Sequence, residues 1–174
     1  ISMTDNLFPF MFWGLGSGFS KNTWPGNSDS TLSGGSPRYN IYETKDGGYL
    51  AAAPLEDRFW NKFCKAIDLP YKYINMDDNP KKVIQRIRDI IKLKNKDHWF
   101  DVFEKADCCC SIVKSLEEAI NDNHFKVREI FSRKILSEEG HEIPALPVPI
   151  DNQFRKGKIS EKAPKLGVHN DLFF

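Results

Sequence analysis

The 174-residue chain has no long unbroken hydrophobic run. Leu7 to Phe19 is its most apolar stretch, but Pro9, Gly14, Gly16 and Gly18 interrupt it. The run also falls short of the ~20 residues a membrane-spanning helix needs. No basic residue precedes it and Asp5 does, which is not the order of a secretory leader. The chain carries almost no excess of either charge, at +1 overall. A protein built on phosphate contacts shows a basic excess or stripe, so nucleic acid is not expected as a partner. Cysteine is scarce and badly spaced for zinc: Cys64 stands alone and Cys108, Cys109 and Cys110 are adjacent. Adjacent cysteines rarely bridge each other. The reading is a reduced, cytoplasmic chain with the three thiols in a buried strand, and no metal site. The four histidines are scattered, and Ser33 and Ser36 lack a recognisable His/Asp arrangement. Internal repeats and low-complexity tracts are missing as well.

What remains is an ordinary globular composition, 40% hydrophobic and 28% charged, with thirteen Phe and four Trp to build a core. Its densest information lies between Leu32 and Trp60. Gly34-Gly35-Ser36-Pro37 excludes a helix or central strand. Tyr39 to Thr44 reads as a strand, Lys45-Asp46-Gly47-Gly48 as a tight hairpin turn, and Tyr49 to Ala53 as the returning strand, ended by Pro54. A helix from about Leu55 to Ile67 places Phe59, Trp60, Phe63, Ala66 and Ile67 near one face. Glu56 falls in its first turn, where the helix dipole stabilises a carboxylate by roughly 0.3–1 kcal/mol. The alternative is that Glu56 orients or polarises a catalytic base.

Around this segment the pattern is mixed. Residues 1–19 read as the end of a buried helix capped by Thr4 or Asp5, and residues 20–37 as a linker. Pro70 to Asn79 reads as a loop. Pro80 to Leu93 is the clearest amphipathic helix, with Val83, Ile84, Ile87, Ile90 and Ile91 on one face. Lys81-Lys82 and Lys92-Lys94-Lys96 read as solvated faces. A helix over Lys96 to Lys105 turns Trp99, Phe100 and Phe103 inward, and His98 reads as packing rather than chemistry. Cys108 to Val113 reads as a short strand, and Ser115-Leu116-Glu117-Glu118 as a capping box. From Phe131 to Phe154 the chain reads as strand and extended structure, with Pro144, Pro147 and Pro149 excluding helix. His169 precedes a few residues suited to a helical turn. The chain begins with Ile1, so we expect it to start inside a longer protein, with Met3 the alternative start.

Four places together resemble one family. Gly34-Gly35-Ser36-Pro37 with Tyr39 and Tyr42 is similar to its GGAP-x-Y-x-x-Y. Leu55-Glu56 with Phe59-Trp60 is similar to LE-x-x-FW. Asp107-Cys108-Cys109 with Val113 and Leu116-Glu117-Glu118 is similar to D-x-C-x-x-PV-x-x-x-EE, and Pro164, Leu166-Gly167 and His169 to P-x-LG-x-H. The chain resembles the C-terminal half of class III CoA-transferases (the CaiB/BaiF, carnitine-dehydratase/bile-acid-inducible group), closest to their α-methylacyl-CoA racemase branch. It departs from the pattern at Ile112, where the family has proline, and at Glu129, where glycine is common.

The resemblance implies an α+β fold: a small domain with a short antiparallel sheet and several helices, flanked by pieces of a Rossmann-like large domain. It divides the chain into the end of a large-domain helix and linker (1–31), the small domain (32–143) and a C-terminal extended segment returning toward the large domain (144–174). It implies that Gly34 and Gly35 mark the loop near a thioester, that Leu32, Tyr39 and Leu55 line an acyl pocket, and that Glu56 supports a histidine base lying outside this chain. Tyr39 read from the residues alone is equally a strand aromatic covering the core, and Cys109 reads as core packing. The implied substrate is a coenzyme A thioester, with no metal or redox cofactor. The implied reaction is either α-proton racemisation of a 2-methylacyl-CoA or CoA transfer between carboxylic acids. The implied partner is a second copy in an interlocked dimer, or a complementary N-terminal half. The alternative is a non-catalytic C-terminal fragment or partner chain.

Overall fold

A hairpin, not a helix, organises the first half of the molecule. A computed structural model describes residues 2–75, 79–146, 150, 152–154 and 160–172. The chain divides into two compact units, residues 1–113 and 114–174. The three-part division above concerns the whole family fold and remains an expectation.

In the first unit, strands β1 (Asn40–Glu43) and β2 (Tyr49–Ala52) pair antiparallel with Tyr42 opposite Leu50. The Asp-Gly turn closes them: Gly47 holds φ +79, its N–H donates to Thr44 O at 3.2 Å, and Thr44 N donates to Gly48 O at 2.8 Å. Strand β3 (Cys110–Ile112) adds to β2 antiparallel, giving the order β1-β2-β3. Tyr42 and Leu50 are fully buried on one face of this sheet.

Helix α3 (Asp57–Ala66) follows β2, α4 (Pro80–Ile91) follows a single 3-10 turn at Tyr71–Tyr73, and α5 (Lys96–Ala106) leads to β3. All five apolar residues assigned to the inner face of α4 are buried. The helix starts at Pro80, where a missing N–H costs nothing, and Asn79 caps it by accepting from Lys82 N. On α3, Trp60, Phe63 and Ile67 are buried as expected, and Cys64 joins them. Trp60, Phe63, Phe103 and Trp99 form a chain of stacked rings with successive centroids 5.7–5.8 Å apart. The two indole N–H groups are satisfied: Trp60 Nε1 donates to Ile74 O at 3.0 Å and Trp99 Nε1 to Ile91 O at 2.8 Å. Phe100 does not turn inward. It stays exposed because the 100° step of the helix carries it off the stripe shared by Trp99 and Phe103.

The N-terminal segment differs from expectation. It forms two helices, α1 (Met3–Phe10) and α2 (Phe12–Lys21), broken at Met11, and Ser2 is the N-cap, accepting from Asp5 N. No apolar side chain of α1 or α2 is buried; Gly14 and Gly18 are. The reason is local. The Trp24-Pro25 turn packs on α2 at its glycines: a Cβ at Gly18 would sit 2.4 Å from the Trp24 ring.

In the second unit the Ser115–Glu118 capping box opens α6 (Leu116–Ile120), and Asp122 caps α7 (Asn123–Val127). Strands β4 (Lys134–Leu136), β5 (Glu142–Pro144) and β6 (Ser160–Lys162) form a sheet in the order β5-β4-β6, with β4–β6 parallel. Pro144 lies in β5, while Pro147 and Pro149 lie outside the described residues. Asn170–Leu172 is a 3-10 turn after His169. Among the described residues, every buried apolar side chain belongs to the first unit. The fold is α+β. No described helix is long and apolar enough to cross a membrane.

Candidate functional site

The glycine turn ahead of β1 builds the site. Ser30 O accepts Ser33 N at 3.1 Å and Gly35 N at 2.9 Å, curling the chain so that Gly34 takes φ +104. At Gly35 the backbone passes so close to Asp29 that a Cβ would lie 2.0 Å from the Asp29 carbonyl oxygen. No other residue fits there. Asn40 then ties the turn to the sheet, its Nδ2 donating to Gly34 O at 2.8 Å, and the buried Tyr42 hydroxyl donates to Pro37 O at 2.8 Å.

These bonds leave a cleft of about 500 Å³ between the turn and the sheet. Leu32, Gly34 and Tyr39 line it together with Ile41, Ala52, Ala53 and Arg88. Three of the expected site residues therefore meet in one place. Gly35 is not among the described lining residues; it supports the turn. Leu55 is also outside the lining and 40% exposed. The expected tyrosine is at the surface of the cleft, 37% exposed, rather than covering the core; that role belongs to Tyr42.

Glu56 lies one residue earlier than expected, at the N-cap of α3 in extended conformation (φ −77, ψ 144). Its carbonyl accepts Phe59 N and Trp60 N at 2.9 Å, but its side chain makes no capping bond and is exposed. The acid inside the first turn is Asp57. Asp57 is engaged by Arg38, whose Nη1 reaches Asp57 Oδ1 at 2.6 Å and Leu55 O at 3.0 Å while the guanidinium lies 5.1 Å from the Trp60 ring centroid. Arg38 thus ties together the residues on either side of Glu56, at the joint between β2 and α3. Sequence reasoning missed both arginines. Arg88 sits on the polar face of an amphipathic helix and looks like any solvated cation until the fold brings the β1–β2 surface beneath it. Its charge also acts on Tyr42, whose hydroxyl burial pushes up despite the cation.

Elsewhere in the unit, the Thr44 hydroxyl (2.6 Å) and Lys96 N (3.0 Å) hold the Asp46 carboxyl below the usual carboxylate range. Lys62 does the same for Asp107, at 2.8 Å. Burial pushes the Cys64 thiol up to about 12. Cys109 is exposed, which corrects both its assignment to the core and the buried strand of three thiols; only Cys108 is fully buried. Among the described residues no cluster of His, Cys, Asp and Glu could hold a metal.

The chain is 32% identical over 145 residues to the human protein named alpha-methylacyl-CoA racemase, and 26% identical over 144 residues to the mouse protein of that name. These matches cover 80% and 79% of this chain but 36% of each relative, so the chain spans about a third of their length. A CaiB/baiF CoA-transferase family protein of Caenorhabditis elegans matches over half of the chain at 27% identity. In three dimensions the fold matches Rv3272 of Mycobacterium tuberculosis, in a point-mutant crystal structure, with a TM-score of 0.68 at 13% identity over 99% of this chain and 45% of that one. The family described as CoA-transferase family III matches residues 1–170, and the chain belongs to it.

Proposed function

We propose that this chain supplies the acyl-binding small domain of a CoA-thioester enzyme, and that the enzyme racemises the α-carbon of 2-methylacyl-CoA. The observation that carries this reading is the convergence of Leu32, Gly34 and Tyr39 on one cleft. The relatives named as racemases point to the reaction. In such a reaction the α-proton next to the thioester carbonyl leaves to one base and returns from another, with the carbonyl carrying the enolate charge. The cleft has an apolar wall of Leu32, Ile41 and Ala52 for the acyl chain, and the curled turn at Gly34 allows close backbone approach. The bases belong to the rest of the enzyme, which on this reading is a Rossmann-like N-terminal half or a second copy in a dimer. Glu56, exposed at the start of α3 with its carboxylate uncommitted to the helix, would orient a histidine base there. No cofactor is needed, and a cytoplasmic location belongs to the same proposal.

A second reading is a non-catalytic partner chain. It is favoured by the same Glu56, whose carboxylate has no hydrogen-bond or ion-pair partner among the described residues. Isothermal titration with 2-methylacyl-CoA, with and without a co-expressed N-terminal half, separates the two. We expect binding with the complementary half, and α-deuterium incorporation from D2O that is lost in Glu56→Gln. Binding without any exchange overturns the racemase reading. No binding of any acyl-CoA, with or without that half, overturns the enzyme reading and leaves a non-catalytic fragment or partner chain.

A further inference from the structure

Arg88 is out of keeping with the cleft it borders. Among the described lining residues it alone carries a charge, beside a wall that includes Leu32, Ile41 and Ala52. Its place follows from α4. It stands four residues after Ile84 and three before Ile91, both buried, so it flanks the inner stripe instead of lying opposite it. The sheet supplies the other side. Side chains alternate along a strand, so Asn40 shares a face with the buried Tyr42, and across the register Ala52 shares it with Leu50. Asn40 and Ala52, the pair at the end of that face, line the cleft with Arg88.

The guanidinium is also uncommitted. Glu43 of β1 pairs with Lys92 Nζ at 2.6 Å, and Asp89, beside Arg88 in α4, accepts from Gln85 Nε2 at 2.9 Å. Arg88 itself makes no hydrogen bond or ion pair among the described residues. The Asn40 amide is already engaged: Nδ2 donates to Gly34 O and Ser36 O, and Oδ1 accepts Ile41 N at 2.9 Å. The Tyr39 hydroxyl, by contrast, has no partner among the described residues. Two open donors therefore meet an apolar wall in a cavity of about 500 Å³, a volume usual for small-molecule sites. The planar fork of a guanidinium matches the two oxygens of a carboxylate.

We infer that the acyl group held in this cleft ends in a free carboxylate, bound by the Arg88 guanidinium with the Tyr39 hydroxyl as a further donor. The inference rests on the acyl-binding reading above and narrows its substrate to the thioester of a short dicarboxylic acid. A phosphate of coenzyme A is the other anion a guanidinium suits. The cleft favours the acyl end, because Arg88 shares it with Leu32 and Ala52. An apolar wall beside one cation fits a hydrocarbon chain with a single terminal charge, and it fits a hydrated polyphosphate badly. At the edge of such a wall the attraction between the two charges is also stronger than in open water. Arg88 selects the substrate and takes no part in the proton transfer.

The probes are 2-methylglutaryl-CoA and 2-methylpentanoyl-CoA, thioesters of equal length that differ in carrying a carboxylate or a methyl group at the far end. Each is titrated into this chain with its co-expressed N-terminal half, as the parent and as Arg88→Gln. The parent is expected to bind the dicarboxylic thioester about tenfold more tightly, the scale of one charged hydrogen-bonded pair. In Arg88→Gln the ratio of the two affinities falls to about one, and Arg88→Lys keeps part of it, since an ammonium holds the charge without the fork. A parent that binds 2-methylpentanoyl-CoA as well as its dicarboxylic counterpart, or better, overturns the inference and leaves the acyl-binding reading standing. A preference that survives in Arg88→Gln overturns it as well. Equal weakening of both thioesters in that variant assigns the guanidinium to a coenzyme A phosphate and overturns it too. Binding of neither thioester by the parent overturns it together with the acyl-binding reading.

Discussion

Single side chains in this molecule act through position more than through type. Asp46 is a turn residue by sequence, yet its carboxylate takes the Thr44 hydroxyl and the Lys96 N–H, joining the hairpin to the first turn of α5, where Asn95 makes no capping bond. Asp46→Asn is expected to lower Tm at neutral pH. A carboxyl held low in the folded state stabilises above its unfolded pKa, and the benefit fades as pH falls through the folded value. The Tm gap between the variant and the parent should therefore close below about pH 4, as thermal melts across the acid range would show. Cys64 works in the opposite window. Its thiol is held up to about 12, so between the ordinary cysteine range and that value the unfolded chain loses its proton first and stability falls with pH. Melting curves from pH 8 to 11 should slope less steeply in Cys64→Ala than in the parent. Arg88→Glu, on the exposed face of α4, is expected to fold normally and to weaken acyl-CoA binding in the titration by an order of magnitude or more, since it reverses charge at the cleft. Unchanged affinity would remove Arg88 from the site.

Elements with a strong repeating pattern were legible before any coordinates. The stripe of α4, the Asp-Gly hairpin and the Ser115 capping box all emerged as read, because local geometry alone determines them. Ile87→Ala should cost about 2–5 kcal/mol in urea melts, since its side chain is fully buried on that stripe. The failures share a cause: each needed a partner that periodicity does not name. The run of apolar residues in 1–19 reads as a buried helix, but the Trp24-Pro25 turn that lies against it covers Gly14 and Gly18 and meets the Phe19 ring edge-on, leaving the large apolar side chains exposed. Cys109 looked like strand interior until the left-handed residue showed which way it faces. Glu56 was placed in the first turn, whereas Pro54 and the Arg38–Asp57 pair start α3 one residue later.

At the scale of the whole molecule, family membership was legible from four motifs in order, and three of the site residues it implied share a cleft. The cleft's shape was not legible, because it depends on Asn40 and Gly35 bonding across the turn. The apolar residues of α1 and α2 are a liability: Leu7, Phe8, Phe10, Phe12 and Phe19 are each more than half exposed. The isolated chain is expected to self-associate, with a light-scattering mass that rises with concentration and falls to the monomer in Phe10→Ser/Phe12→Ser. A concentration-independent monomer mass for the parent chain would refute this. The close pass of Gly35 against Asp29 offers the opposite kind of control. That contact shapes the turn but lies outside the ring-stacked core, so a methyl group added there would distort the turn while the hairpin and helices stay folded. Gly35→Ala is thus a ready separation-of-function allele: it gives a cell the folded protein without the cleft, and so divides what the molecule does by being present from what it does by holding a ligand.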